Sequence, residues 1–297
     1  MSIRRIWQVG VFELFGALRS RRALVVMVLY LAASLLGMNG TISLLGKLEN
    51  QLSTALSLQV DESGRSGVVS KTLWQSKTFQ RMAKGAVGDS PVYDDIKGKH
   101  PAELIYAWLT FLFVPLLTIL MAANRVADDI HCGSVCYMLT RVTRLEWALG
   151  KYLGSSVIMM AGLFVGAIAA WTVAAFRLSG ADLPWLLVDI LIWGAKAWIL
   201  SLSWLGLALG ISHVARTGAK ATSIAVFAVV PFTASGALLS RFGERFAVLA
   251  MIFPSGVEDS LWRSSLLPVA GASLWLLVLG FFYLTAGYAV FAKGDVR

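Results

Sequence analysis

NRVADDIHCGSVCYMLTRVTRLEWALGK, Asn124 to Lys151, is the stretch whose reading decides the fold. It carries seven charged side chains, Arg125, Asp128, Asp129, Arg141, Arg144, Glu146 and Lys151, between two apolar runs, Leu104 to Ala123 and Tyr152 to Phe176. Each run has about the 20 residues that a helix needs to cross a bilayer. A segment this charged is excluded from hydrocarbon, so it faces water on one side of a membrane. Val126, Ile130, Gly133 and Tyr137 recur at helical spacing, which predicts a short surface helix with Arg125, Asp128 and Asp129 mainly on its other flank. The plainer alternative is a solvated loop of some other six-helix membrane protein.

Working outward, the 297 residues are 57% hydrophobic and 14% charged, with a mean hydropathy of +0.71. That is too apolar for a soluble domain and describes an integral membrane protein. Six spans are expected: 23–45, 104–123, 152–176, 184–213, 221–239 and 269–292. In lipid the backbone must satisfy its own hydrogen bonds, and runs this long and uniformly apolar favour helices over barrel strands, so the expected class is all-α.

Residues 1–22 place Arg4, Arg5, Arg19, Arg21 and Arg22 around an apolar face of Ile3, Ile6, Trp7, Val11, Leu14, Phe15 and Leu18, the pattern of a helix lying among lipid headgroups. A cleavable signal peptide is the competing reading, opposed by the long amphipathic charged region and the length of the apolar run after it. Lysine and arginine then set the orientation. With the N-terminus inside, thirteen fall on inner segments, including 124–151 and the tail 293–297, against Arg177, Arg241, Arg245 and Arg263 on short outer loops. The excess predicts cytoplasmic termini, and it accounts for the net charge of +9 without nucleic-acid binding. Eight further cations in 46–103 are accompanied by seven acids, in a segment near the length at which loop charge stops deciding topology.

The outer segment 46–103 is the one sizeable aqueous part. An amphipathic helix is expected to continue from the first span through Leu48, Leu52 and Leu56 until Gly64 to Gly67, with a second helix over Lys71 to Lys84 and a loop over Pro91 to Pro101. It reads either as a docking site for an extracytoplasmic partner or as a cap over a translocation path. In the fourth span Asp189 and Lys196 are the only ionisable groups deep in an expected helix, two turns apart on one face, with Lys196 near mid-bilayer. A buried cation is costly unless it meets a cavity or a partner, so Lys196 either lines the path or is paired structurally. Ser201, Ser203, Gly206 and Gly210 form a small-residue face for close packing. Pro231 in the fifth span is expected to kink it. Segment 240–268, interrupted by Pro254, is too short to span and reads as re-entrant, with Glu258 and Asp259 at its mouth.

Several of these residues resemble a known family. The loop between the second and third spans of type-2 ABC exporter permeases runs acidic pair, Gly-Thr, apolar residues, Arg or Pro, a second Arg, then Gly-Lys opening the next helix. Here Asp128-Asp129, Gly133-Ser134, Tyr137-Met138-Leu139, Arg141, Arg144 and Gly150-Lys151 stand in that order, with Ser134 for the usual Thr and Val142 after Arg141 where Pro is common. The N-terminal amphipathic helix matches the family's elbow helix, and Phe291 to Asp295 is similar to its aromatic-then-charged ending. The placement of 46–103 looks most like the branch that includes permeases of multicopper-enzyme maturation and gliding motility. The resemblance implies that 124–151 is a coupling helix seated on a cytoplasmic ATPase, with Arg125, Asp128, Asp129, Gly133, Ser134, Tyr137, Arg141 and Arg144 as coupling residues. It implies a dimer of permeases with two ATPase subunits in a bacterial inner membrane, and a narrowing of the outer exit by the re-entrant pair.

No catalytic chemistry is expected on this chain. Gly150-Lys151 lacks the Ser or Thr and the first Gly of a phosphate-binding loop, so ATP and Mg belong on the partner. His131, Cys132 and Cys136 fall short of a four-ligand metal set, and the cysteines read as reduced packing residues. Two rival functions remain, a self-powered secondary transporter, which would need repeats and broken helices, and a membrane scaffold.

Overall fold

The computed structural model describes residues 2–56, 80–81, 91–178, 182–241 and 244–293. Among the described residues, six helices are long and apolar enough to cross a membrane. They are α2 (Arg21–Leu56), α4 (Pro101–Ala122), α7 (Arg144–Arg177), α8 (Leu183–Val214), α9 (Gly218–Arg241) and α12 (Leu266–Lys293). Among the described residues, shorter helices decorate the two ends: α1 (Ile3–Arg19), α3 (Pro91–Ile96), α5 (Arg125–His131), α6 (Ser134–Leu139) and α10 (Glu244–Ala250), with a 3-10 turn at Pro254–Gly256 and α11 (Glu258–Leu261) before the last span. The end that carries α1, α5 and α6 is called the base, and the end that carries α3, α10 and α11 the far end.

Helix α8 is the centre of the bundle and packs against α4, α7, α9 and α12. Its small-residue stripe is what lets α12 approach. A Cβ on Gly206 would overlap the backbone of Gly280, and one on Gly287 would overlap the backbone of Gly210, so the two helices touch backbone to backbone. In lipid there is no hydrophobic drive between helices, and this close packing supplies the attraction. Polar groups inside the bundle find backbone partners: the Tyr152 hydroxyl donates to Leu202 O at 3.0 Å and Trp198 Nε1 to Ser156 O at 3.1 Å.

Helix α7 has 34 residues, about 50 Å at 1.5 Å per residue, against a hydrocarbon core of about 30 Å. Its first turns therefore stand clear of the membrane at the base. They receive α1 on a seam of small residues: a Cβ on Gly154 would lie 2.7 Å from Gly10 O, and one on Gly150 2.5 Å from Val9 Cβ. Ile6, Val9 and Ala17 are buried there, while Ile3, Trp7, Phe12 and Phe15 project outward, apolar enough for the membrane interface.

Three local expectations are corrected. Residues 91–101 are not all loop: Pro91 sits at the first position of α3, where its missing N–H costs nothing, and Val92, Tyr93 and Ile96 pack against Leu104 and Trp262. Gly150-Lys151 does not open the third span, which begins two turns earlier under a capping box: Thr143 Oγ1 accepts from Glu146 N at 3.3 Å and Thr143 N donates to Glu146 Oε2 at 3.0 Å. The single helix expected over 126–137 is two helices, broken at Gly133. The helix expected over Lys71 to Lys84 lies, apart from residues 80–81, outside the described residues, as does the break at Gly64 to Gly67.

Segment 244–261 folds back on α9 and α12. Ser255 Oγ donates to Phe232 O at 3.1 Å and to Thr233 O at 3.0 Å, Trp275 Nε1 donates to Met251 O at 2.8 Å, and the Tyr283 hydroxyl donates to Ile252 O. Tyr283 lies about 25 Å along α12 from Leu266 at 1.5 Å per residue, so this non-spanning segment descends well below the far end while its backbone stays bonded to protein.

Candidate functional site

The base assembles the stretch between the second and third spans into a compact unit. Helix α5 starts right after α4 and ends at Cys132; Gly133 then adopts φ +71°, a left-handed conformation that a β-carbon disfavours. The turn reorients α6, so Val126 and Val135 are fully buried while Tyr137 is 82% exposed. Periodicity runs unbroken through Gly133 in the sequence, yet the φ of that one residue splits the face.

Beneath the two helices lies a cluster of buried charges. Glu13 of α1 accepts from Arg125 Nη1 at 2.6 Å and from Lys151 Nζ at 2.8 Å, and Lys151 Nζ also reaches Asp129 Oδ2 at 2.6 Å. The side chains of Lys151, Arg125 and Glu13 are 5%, 10% and 12% exposed. Burial alone would raise the Glu13 carboxyl, but the Lys151 ammonium and the Arg125 guanidinium outweigh it and hold it below the ordinary carboxylate value,. One carboxylate thus ties α1, α5 and α7 together. A cavity of about 540 Å³ opens beside it, lined by Glu13, Arg22, Asn124, Asp128, Tyr137 and Trp147 among others.

Asp129 turns inward, while Asp128 stays half exposed beside Arg22. Asp129 binds Lys151 and accepts from Ser134 Oγ at 3.1 Å; Asp128 accepts from Asn124 Nδ2 at 2.7 Å and lies 3.7 Å from Arg22. Arg144 Nη1 donates to Ala292 O at 3.0 Å, with its guanidinium 5.4 Å from the centre of the Phe291 ring, so it staples the start of α7 to the end of α12. His131, Cys132, Cys136, Tyr137, Thr140 and Arg141 are left on the exposed face. Gly150-Lys151 lies inside a continuous helix with its ammonium already paired, which is no cradle for a phosphate. Among the described residues no group of three or more His, Cys, Asp or Glu could hold a metal ion.

Behind the unit, His213 is buried in an aromatic nest of Trp147, Tyr288 and Phe291, its Nδ1 2.7 Å from Leu209 O. Sequence reasoning missed Glu13, Ser212 and His213. Glu13 was legible: it stands at helical spacing from Val9, Gly10 and Ala17, on the small-residue face of α1 rather than among its arginines.

At the far end the path candidates are dispersed. Lys196 donates from Nζ to Arg263 O at 2.9 Å and lies 4.3 Å from the centre of the Trp193 ring. The side chain carries the charge from its deep Cα towards the loop before α12, a structural pairing. Near Asp189 lies Glu103, a second buried ionisable residue, which is 3.2 Å from Lys99. Phe111 meets Trp193 and Trp262 edge to face while the two tryptophans lie tilted against each other, and His100 caps α4, its Nδ1 accepting from Ala102 N at 3.2 Å; burial lowers its basicity. Glu258 is partly covered, and burial with the neighbouring Asp259 pushes its carboxyl up to about 7, while Asp259 is exposed.

These features define a six-span, all-α integral membrane protein in which a pair of short surface helices joins the second and third spans. The family model described as ABC-2 family transporter protein matches residues 12–252, and the chain belongs to that family. It is thus a multi-pass membrane component of an ABC transporter, a family that associates with a cytoplasmic ABC ATPase. A comparison with curated proteins returned no match.

Proposed function

We propose that this chain is the permease subunit of an exporter, pairing with a second permease and with two copies of a cytoplasmic ATPase that binds ATP and Mg. The base faces the cytoplasm of a bacterial cell, both termini lie there, and the substrate passes between the protomers across the inner membrane. The observation that carries this reading is the α5–α6 unit: it is held from below by the Glu13–Arg125–Lys151–Asp129 cluster and presents a large aromatic side chain, Tyr137, to water. An exposed aromatic beside Arg141 suits a docking anchor that fills an apolar pocket with an acidic rim. Asp128 and Asp129 then shape the unit rather than touch the ATPase, and Arg125, Gly133, Ser134 and Arg144 do the same.

On this reading Lys196 and Asp189 secure the far end within one protomer, and Glu258 and Asp259 are the acidic groups nearest the outer mouth. The test is affinity purification of the chain from its native membrane in mild detergent. A stoichiometric soluble subunit with a phosphate-binding loop, and ATP hydrolysis by the pair, is the expected outcome. A chain that purifies alone and hydrolyses nothing would move the reading to a secondary transporter or a scaffold.

A further inference from the structure

The α5 helix has seven residues, too few to hold its shape in water, and its first N–H groups have no acceptor within the helix. Asn124 does not supply one: at the N-cap its side chain makes no capping bond, and its amide is spent on Asp128. The acceptor comes from another helix. Ser212 Oγ, in the last turns of α8, accepts from Val126 N at 3.2 Å and from Ala127 N at 2.9 Å. Val126, Ala127 and Ser212 are all 0% exposed, so no water can replace the hydroxyl.

On the other side of the same turn, Gly218 opens α9 where the Asp128 side chain lies. A Cβ there would overlap the Asp128 carboxylate and come within 3.0 Å of Asn124 Cβ. The chain from Ser212 to Gly218 therefore holds α5 by a short hydroxyl and by the close approach of the Gly218 backbone to the Asp128 and Asn124 side chains. Links of a different kind join α5 to α1 and α7: they run through the long side chains of Arg125, Lys151 and Glu13, which can extend or re-pair as helices shift. A displacement of α5 is thus passed on first where the links cannot stretch, to the fourth and fifth spans, α8 and α9.

We infer that Ser212, seconded by Gly218, is the positioning residue that transmits movement of α5–α6 to α8 and α9. The inference rests on the proposed function, because it needs an ATPase that moves α5. The experiment uses the co-purified permease–ATPase complex in lipid nanodiscs, with Cys132 and Cys136 changed to Ser and one reporter cysteine, Ser223→Cys on the exposed base of α9, labelled by a maleimide with and without ATP. A parallel complex reports on α5–α6 itself through the native Cys132.

ATP is expected to change labelling at both reporters. In Ser212→Ala the response at Ser223→Cys falls by about fivefold, the equivalent of one hydrogen bond, while the α5 response and the yield of complex persist; Ser212→Thr, which keeps the acceptor, retains the α9 response. Gly218→Ala, whose Cβ would press on the Asp128 side chain of α5, provides a second arm if Ser212→Ala does not assemble, with the same selective loss expected. A full ATP response at α9 in both Ser212→Ala and Gly218→Ala overturns the inference alone. Absence of any ATP response at Cys132 in the otherwise native complex overturns the proposed function and the inference with it.

Discussion

The two ends of this molecule solve the same problem, a handful of charges removed from water, in opposite ways. At the base a single carboxylate, Glu13, serves two cations on separate helices, and every member of the cluster comes from a different turn of chain. At the far end the links are local or end on backbone: Lys99 with Glu103 four residues on, and Lys196 with the Arg263 carbonyl, under a lid of Trp193 and Trp262. A shared carboxylate makes the base an assembly of separable parts, whereas the far end is tied together locally. That contrast suits a base built to receive force and a far end built to stay closed until the helices beneath it move.

Breaking the contrast at its strongest point comes first. Glu13→Gln leaves Arg125 and Lys151 buried with one anion, Asp129, between them, and is expected to cost about 3–5 kcal/mol, seen as a lower Tm of the solubilised chain. Because the Glu13 carboxyl is held below its ordinary value of 4.5 in the folded protein, its stabilisation is complete above that value and disappears as the pH falls through the lowered one. Thermal melts from neutral pH to pH 3 should therefore show an acid loss that Glu13→Gln lacks. Parallel acid profiles for the two proteins would remove the cluster from the centre of the account.

Next in size is the docking face. Tyr137→Ala should leave the melting temperature unchanged, since Tyr137 packs on so little, but weaken ATPase binding by about 2 kcal/mol, roughly thirtyfold, in a pull-down titration. Unaltered binding would shift the anchor elsewhere on α5–α6. The smallest effect is expected at the far end: Lys196→Met replaces a buried cation by an apolar chain of similar length and should change stability by less than about 1 kcal/mol. A large loss of transport with normal stability in that variant would return Lys196 to the translocation path.

Much of the fold was open to reading from the residues because a bilayer imposes a simple length rule. Six long apolar runs, flanked by arginine and lysine, announce six spans, and Asn124 to Lys151 announces the family. What stayed hidden has specific causes. Gly133 keeps the helical spacing of Val126, Ile130 and Tyr137 while its positive φ divides their face. Lys196 was placed by its Cα, whereas its ammonium lies a side-chain length away on Arg263 O. Asp129 stands in the sequence on the flank opposite the apolar face, but Lys151, the cation that draws it inward, lies on another helix. Ser212, 85 residues from Ala127, carries no local signal at all, while the Thr143–Glu146 capping box was in plain view and moves the start of the third span.

The most direct measurement uses what the chain already has. Its two cysteines, Cys132 and Cys136, both lie exposed on α5–α6, so maleimide labelling reports on that face without engineering. The account predicts rapid labelling of the isolated permease and slower, still measurable labelling of both thiols when the ATPase is bound. Equal labelling rates in the isolated chain and in the intact complex would contradict the claim that α5–α6 is where the ATPase docks.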